Sequence, residues 1–237
     1  MISTSNTIKN VAAKGFIKAF MINLSSFLNT YLYYMNEAKI RLSQKEMELV
    51  INAQFILTKN GILEKVKDLL ASLQVQPQHY LKSQSGKLAD NILQSSPKIS
   101  KGENYNGLPY LILDFPRIFS PAGIYAIRTM FWWGNFFSIT LHLSKEYKNQ
   151  HEYKLVAAFK SLQEKGFYCC INEDEWEHHF QETNYKPLAT LGNNDFENIL
   201  RQKEFIKLAN KIPLQQWDDA EEILLTSFKE LIKILAD

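Results

Sequence analysis

The chain has 237 residues, of which 46% are hydrophobic and 22% charged, and these values are typical of a globular protein with a sizeable core. Its 15 Phe, 11 Tyr and 4 Trp exclude a disordered chain, because so much aromatic surface must be buried. A net charge of +2 excludes a strongly basic nucleic-acid binder, and the sequence contains no recognised catalytic motif.

The cysteine content and the absence of a convincing membrane segment predict a cytoplasmic protein. The two cysteines, Cys169 and Cys170, are adjacent and therefore poorly placed to close a disulfide loop, which favours a reducing compartment. The segment from Ala19 to Met35 carries no charge, but it includes five polar residues and is shorter than a spanning helix requires. We expect neither membrane insertion nor secretion.

The first 94 residues have helical periodicity. A helix over 8–38 carries apolar residues on two faces, which predicts burial on two sides or a contact between subunits. The capping-box sequence at Ser43 to Glu46 predicts a second helix that stops near Asn60-Gly61. The spacing predicts a third helix that ends before Pro77, and a short fourth helix around 88–93.

The character of the sequence changes near residue 100. Residues 95–107 are polar and turn-forming, which predicts a loop or linker. Aromatic and β-branched runs then predict three strands, at 108–115, 124–133 and 136–143. Further elements are indicated along the rest of the chain: a helix over 145–165, a strand over 167–171, a segment at 176–180 that fits either strand or helix, a helix start near 194, a strand or helix end over 205–212, and a C-terminal amphipathic helix over 216–235.

The elements together predict an α+β fold. It consists of an N-terminal helical layer, then an antiparallel β-sheet of three to six strands with helices packed on one face, and a long C-terminal amphipathic helix. We predict a helical segment 1–94, a loop or linker 95–107 and a sheet region 108–237, with a single domain over 1–237 as the alternative that short connections favour.

Strand parity predicts which side chains share a face of the sheet. Odd positions of the three strands are almost wholly apolar and should face helices, whereas even positions are mixed. For the apolar faces to match, the second and third strands must be joined by an odd-length loop of about three residues around Gly134-Asn135. The even face then carries the candidate ligand-binding residues, which are Arg128, His142, Asp114, Thr140, Tyr110 and Trp132.

Two interpretations of this even face remain open. A guanidinium beside an imidazole suits recognition of an anion or acid–base chemistry, with Tyr110 and Trp132 as walls. The simpler interpretation is a solvated sheet face on which Asp114 and Arg128 form a cross-strand pair. The catalytic residues, if any, are not identified by the sequence.

Two other groups of residues are given no functional role. The acidic residues and histidines at 173–179 lack the order of a known metal motif, so we interpret them as an acidic surface with incidental histidines and expect neither a metal nor another cofactor. On a strand Cys169 should be a core residue, and a catalytic role for Cys170 would need a base that the sequence does not place.

Three functional hypotheses follow. The leading one is a non-catalytic binding or interaction protein that self-associates through its N-terminal helix. The alternative is a protein or enzyme that binds a small anionic ligand around Arg128, His142 and Asp114. The third is weak nucleic-acid contact through residues 1–107, which hold 13 Lys and Arg against 7 Asp and Glu. Because these lysines are scattered, we do not expect nucleic-acid binding.

Overall fold

A computed structural model describes residues 21, 23–30 and 40–236 of the chain. The chain divides into two compact units, residues 1–58 and residues 59–237. Most of the helix predicted over 8–38 lies outside the described residues, although residues 21 and 23–30 are helical. No helix within the described ranges is long and apolar enough to cross a membrane.

Helix α1 (Gln44–Ile51) begins at the predicted capping box, which is confirmed in full. The Ser43 hydroxyl accepts from the backbone amide of Glu46, whose carboxylate accepts from the Ser43 amide. The predicted stop at Asn60-Gly61 is wrong, because α1 ends earlier, at Asn52, and the next helix passes through Gly61.

Helix α2 (Ala53–Ser83) is longer than the sequence suggested, since it contains Pro77 in its interior. Its buried residues recur every three or four positions through the proline. Burial of this continuous stripe outweighs the hydrogen bond that proline cannot make. The stripe consists of Leu63, Val66, Leu70, Leu73, Pro77 and Leu81. A short helix, α3 (Asp90–Leu93), follows.

The sheet is antiparallel and has seven strands within the described part of the chain, more than the three to six expected. The strands are β1 (Lys98–Tyr105), β2 (Leu108–Ser120), β3 (Gly123–Trp132), β4 (Phe136–Ser144), β5 (Tyr168–Cys170), β6 (Tyr185–Pro187) and β7 (Phe205–Pro213), in the spatial order β1-β2-β3-β4-β7-β5-β6. The prediction of a loop at 95–107 is wrong for most of its length. Strand β1 pairs with β2 at the sheet edge, where little burial is required and a polar sequence is tolerated.

The register of β3 and β4 confirms the parity argument. Trp132 pairs with Phe136, so three residues, 133–135, connect the strands. Phe131 faces Phe137 and Ile127 faces Leu141, and the odd positions therefore share one face. That face contributes to the main hydrophobic core, which also contains residues of α2.

Further helices contribute to the same core: α4 (Lys145–Ala157), α5 (Phe159–Glu164), α6 (Asn193–Gln202) and the C-terminal helix α7 (Ala220–Ala236). A single helix was predicted over 145–165, but the structure has two helices there, which meet at Ala158. Residues 205–212 form a strand rather than a helix end. Residues 176–180 form neither a strand nor a helix, so both alternatives for that segment are wrong.

Candidate functional site

The even face of the sheet carries a buried polar cluster. In the β2–β3–β4 register Asp114 lies opposite Arg128, and Arg128 lies opposite Thr140. His142 lies two residues beyond Thr140 on β4, where its partner on β7 is Lys207. The prediction that this face is solvated is wrong, because Asp114, Thr140, His142 and Lys207 are all buried.

The cover of this face is an irregular segment between β5 and β6, residues 171–184, which we call the strap. It includes the acidic and histidine-rich residues 173–179 that the sequence suggested were an exposed surface. Lys203 anchors one end through hydrogen bonds to the carbonyls of Ile171 and Asn172 and an ion pair with Glu173. Phe180 anchors the other end, where its ring stacks on Tyr185 at 4.6 Å between centroids.

The Arg128 guanidinium joins the sheet to the strap. Its Nε and one terminal nitrogen donate to the two oxygens of Asp114 at 2.8 and 3.0 Å. Its other terminal nitrogen lies 3.1 Å from Nε2 of His178, on the strap. Because arginine has only donors, His178 Nε2 must accept, and this ring is therefore neutral in the closed structure. Burial, Lys207 and Arg128 hold the pKa of His178 well below its usual range.

Tyr105, from the edge strand β1, holds the middle of the strap. Its hydroxyl donates to the Glu177 carboxylate at 2.8 Å. The same oxygen accepts from the backbone amides of His178 and His179. Burial is the main reason that the pKa of Tyr105 rises to about 12, so the hydroxyl keeps its proton at neutral pH.

His142 also contacts the strap from below, through a bond of 2.9 Å between its Nε2 and the Glu175 carboxylate. A carboxylate accepts only, so Nε2 of His142 carries the proton. Burial, with Lys207 and Arg128 nearby, lowers the pKa of His142 to about 3. The pKa of Glu175 is raised, mainly by burial.

Lys207 is the most deeply buried charged group of the cluster, with 2% of its surface exposed. Its ammonium donates to the backbone carbonyl of Glu177 and lies 5.5 Å from the ring centroid of Tyr185. Burial lowers its pKa to about 8. The hydroxyls of Tyr185 and Thr140 are hydrogen-bonded to each other beside it.

Tyr110 and Trp132 lie at the far end of the face and are cross-strand partners. Trp132 is buried and its indole nitrogen donates to the Tyr105 carbonyl, so it forms part of a small aromatic cluster rather than an open wall. Of the six predicted site residues, the structure thus groups Arg128 with three others, Asp114, Thr140 and His142. It separates Tyr110 and Trp132 from them.

Two surface cavities flank the strap. One of about 600 Å³ lies beside Trp176 and three acidic residues of the strap. The other, of about 500 Å³, lies beside Trp132 and is lined mainly by polar side chains. Neither cavity is lined by Arg128, Asp114 or Lys207, since the strap covers all three.

Sequence reasoning missed the strap residues and Lys207. Lys207 had one visible signal, because it interrupts an apolar run between Ile206 and Leu208. His178 and Glu175 had none, since the strap lacks the periodicity that would assign a face. Their acidic neighbours also favoured a solvated surface.

The weaker candidates behave as structural residues. Cys169 is buried in the main core, as predicted, and Cys170 is buried in a smaller cluster on the other face. Burial raises the pKa of the Cys170 thiol, which disfavours the thiolate that nucleophilic catalysis needs. Within residues 21, 23–30 and 40–236, no three His, Cys, Asp or Glu side chains are grouped so as to hold a metal.

Comparison of the chain with protein-family models, curated proteins and solved structures gave no match.

Proposed function

We propose that this protein is a non-catalytic interaction protein that self-associates through its N-terminal helical residues. The observation that supports this is the distribution of exposed apolar side chains. Of the seventeen large hydrophobic residues exposed in the described part of the chain, thirteen lie between Met21 and Leu57. An apolar surface of this density is typical of residues that are covered by a partner.

The spacing of these residues favours a helix as that partner. Met21, Leu24 and Leu28 are exposed and follow one another at intervals of three and four residues, the spacing of a coiled-coil seam. Phe27 lies next to this seam and is 72% exposed. Each such side chain that becomes fully buried contributes about 1.5–3 kcal/mol to association.

The charge distribution favours a second copy of this chain as the partner that covers these residues. Residues 21–58 contain three basic and three acidic side chains, and none of these six lies within 21–36. Two identical segments therefore meet without net repulsion. The surface also lacks the excess of Lys and Arg that a helix lying on a membrane surface carries.

The test compares two single substitutions one residue apart. Leu28→Asp places a charge in the proposed seam, and we expect it to raise the self-dissociation constant at least 100-fold in sedimentation experiments, because burying one unpaired carboxylate costs about 3 kcal/mol or more. Asn29→Asp adds the same charge at the neighbouring exposed position and should leave association unchanged. Equal behaviour of the two variants would contradict the proposal.

A second function, binding of a small anionic ligand, is favoured by one observation. Lys207 has no carboxylate within ion-pairing distance among the described residues, and it lies on the same face as Arg128 and His142. Native mass spectrometry of gently purified protein tests this function. A mass excess that is lost on denaturation supports it, and a clean multiple of the chain mass contradicts it.

The two free cysteines support a cytoplasmic location as part of the same proposal. A reducing compartment keeps adjacent thiols free, and both are buried within the fold. Fractionation of the source cells with an antibody to the chain would test this location directly. Recovery with the membrane or secreted fraction would contradict it.

A further inference from the structure

One of the contacts that hold the middle of the strap, residues 174–179, to the sheet depends on a neutral histidine. The ends of the strap are anchored differently, by Lys203 at one end and by the packing of Phe180 at the other. Between them, no regular secondary structure ties the strap to the sheet. Its opening therefore costs few backbone hydrogen bonds, which is typical of a segment that opens locally while the core stays folded.

We propose that the middle of the strap is an acid-released clasp, in which protonation of His178 breaks its contact with Arg128 and frees residues 174–179 from the sheet. Protonated His178 has only donors, so its Nε2 can no longer accept from Arg128. Two positive charges then face each other where a hydrogen bond existed. The open state is favoured because water can hydrate the imidazolium there.

Positive or titratable groups from three strands face His178 and favour its release, whereas Asp114 on β2 is paired with Arg128 and Tyr105 on β1 is uncharged. Arg128 approaches from β3, Lys207 from β7 and His142 from β4, and each lowers the pKa of His178. His179, on the strap itself, acts in the same direction. On the strap, the Glu177 carboxylate accepts from the Tyr105 hydroxyl and lies 3.6 Å from Nε2 of His179.

Protonation of Glu175 favours the closed strap, and this effect sets the lower limit of the pH range in which release can be measured. Its pKa is raised in the closed state, so this carboxyl takes up a proton more readily there than in the open strap. His142 donates a hydrogen bond to the Glu175 carboxylate, which partly compensates a positive charge on His142. For both reasons His178 is the main trigger, and the pH range from 7 to 5 is the informative one.

The size of the effect follows from linkage. A free histidine has a pKa of about 6.5, so the open strap binds its proton between pH 7 and pH 5 while the closed strap does not. One such proton shifts the equilibrium toward the open form by roughly 25-fold over this interval. Any contribution from His142 multiplies this factor.

Amide hydrogen exchange measures the opening at the two backbone groups that the clasp protects. The amides of His178 and His179 donate to the Tyr105 hydroxyl and exchange only when the strap opens. Their rates are divided by those of the unfolded chain at the same pH, which removes the chemical effect of pH. We expect the corrected rates to rise at least about 25-fold between pH 7 and pH 5, and the amide of Ile139 in β4 to keep its protection.

The matched variants are His178→Gln and His151→Gln. Glutamine at 178 offers an acceptor that does not titrate, so the rise in its strap should be smaller than in the wild type by the roughly 25-fold contribution of His178, and His178→Asn serves as a second variant of the same kind. His151 is also buried, but on α4, and its replacement should leave the wild-type response of the strap intact. Unchanged wild-type rates, an undiminished rise in both residue-178 variants, or an equal rise at Ile139 would each overturn the proposal.

Discussion

Arg128 and Asp114 face each other across β2 and β3 and form a two-point ion pair, with nitrogen–oxygen distances of 2.8 and 3.0 Å. Asp114 is 7% exposed, so the pair lies beneath the strap rather than on an open surface. Because the same guanidinium contacts His178, it also links the sheet to its cover. This pair therefore has a structural role whether or not the face binds a ligand.

Removal of Arg128 is expected to destabilise the fold strongly. Arg128→Ala leaves the buried Asp114 carboxylate without its counter-charge, which typically costs about 3–5 kcal/mol. Chemical denaturation measures this loss. The control is Arg117→Ala on β2, which leaves the pair intact and should cost less than half as much. If Arg128→Ala proves as mild as the control, the pair is not the structural link described here.

The buried lysine predicts an unusual dependence of stability on alkaline pH. The pKa of Lys207 is about 8 in the folded chain, against 10.5 for a free lysine. Between these values the unfolded chain holds a proton that the folded chain has lost. Lys207 therefore increases the free energy of unfolding as the pH rises from 8 to 10.5. At pH 7 the group is charged in both states, and its burial costs stability.

Lys207→Met tests this cost. We expect the variant to lose the gain in stability between pH 8 and 10.5. At pH 7 it should be more stable than wild type by about 1 kcal/mol, because the lost hydrogen bond to Glu177 offsets part of the desolvation that is relieved. Lys186→Met, at an exposed position of β6, is the control and should keep the wild-type pH profile. A retained alkaline slope in Lys207→Met would contradict the assignment.

The turn between β2 and β3 requires glycine for two reasons. Gly123 has a φ of +134°, and a Cβ there would lie 2.2 Å from the backbone oxygen of Ser144. We expect Gly123→Ala to cost about 2 kcal/mol or more of unfolding free energy, since both strain and a clash with rigid backbone arise. Gly107→Ala, at a φ of +80° with open space around it, isolates the strain alone and should cost clearly less.

Strands β3 and β4 were predictable because each repeats a local rule. Alternation along 124–133 and 136–143 determined which residues share a face, and matching the two apolar faces required the three-residue connection that Trp132 and Phe136 define. Likewise, the Ser43 capping box needs only four residues, and it is present. Such features depend on neighbours in sequence.

The remaining features depend on contacts distant in sequence. Pro77 ends a helix by local preference, but burial of the stripe from Leu63 to Leu81 carries α2 through it. The polar strand β1 forms because β2 offers it backbone partners. The strap over Arg128 follows no period at all, so its position depends on Lys203, Tyr105 and other side chains far away in the chain.

Sedimentation equilibrium of the wild-type chain over a wide concentration range tests the proposed self-association most directly. The exposed apolar residues between Met21 and Leu57 predict a mass that rises with concentration to a whole multiple of the 27.6 kDa chain. A mass of 27.6 kDa at every concentration would contradict self-association and leave those residues to a different partner.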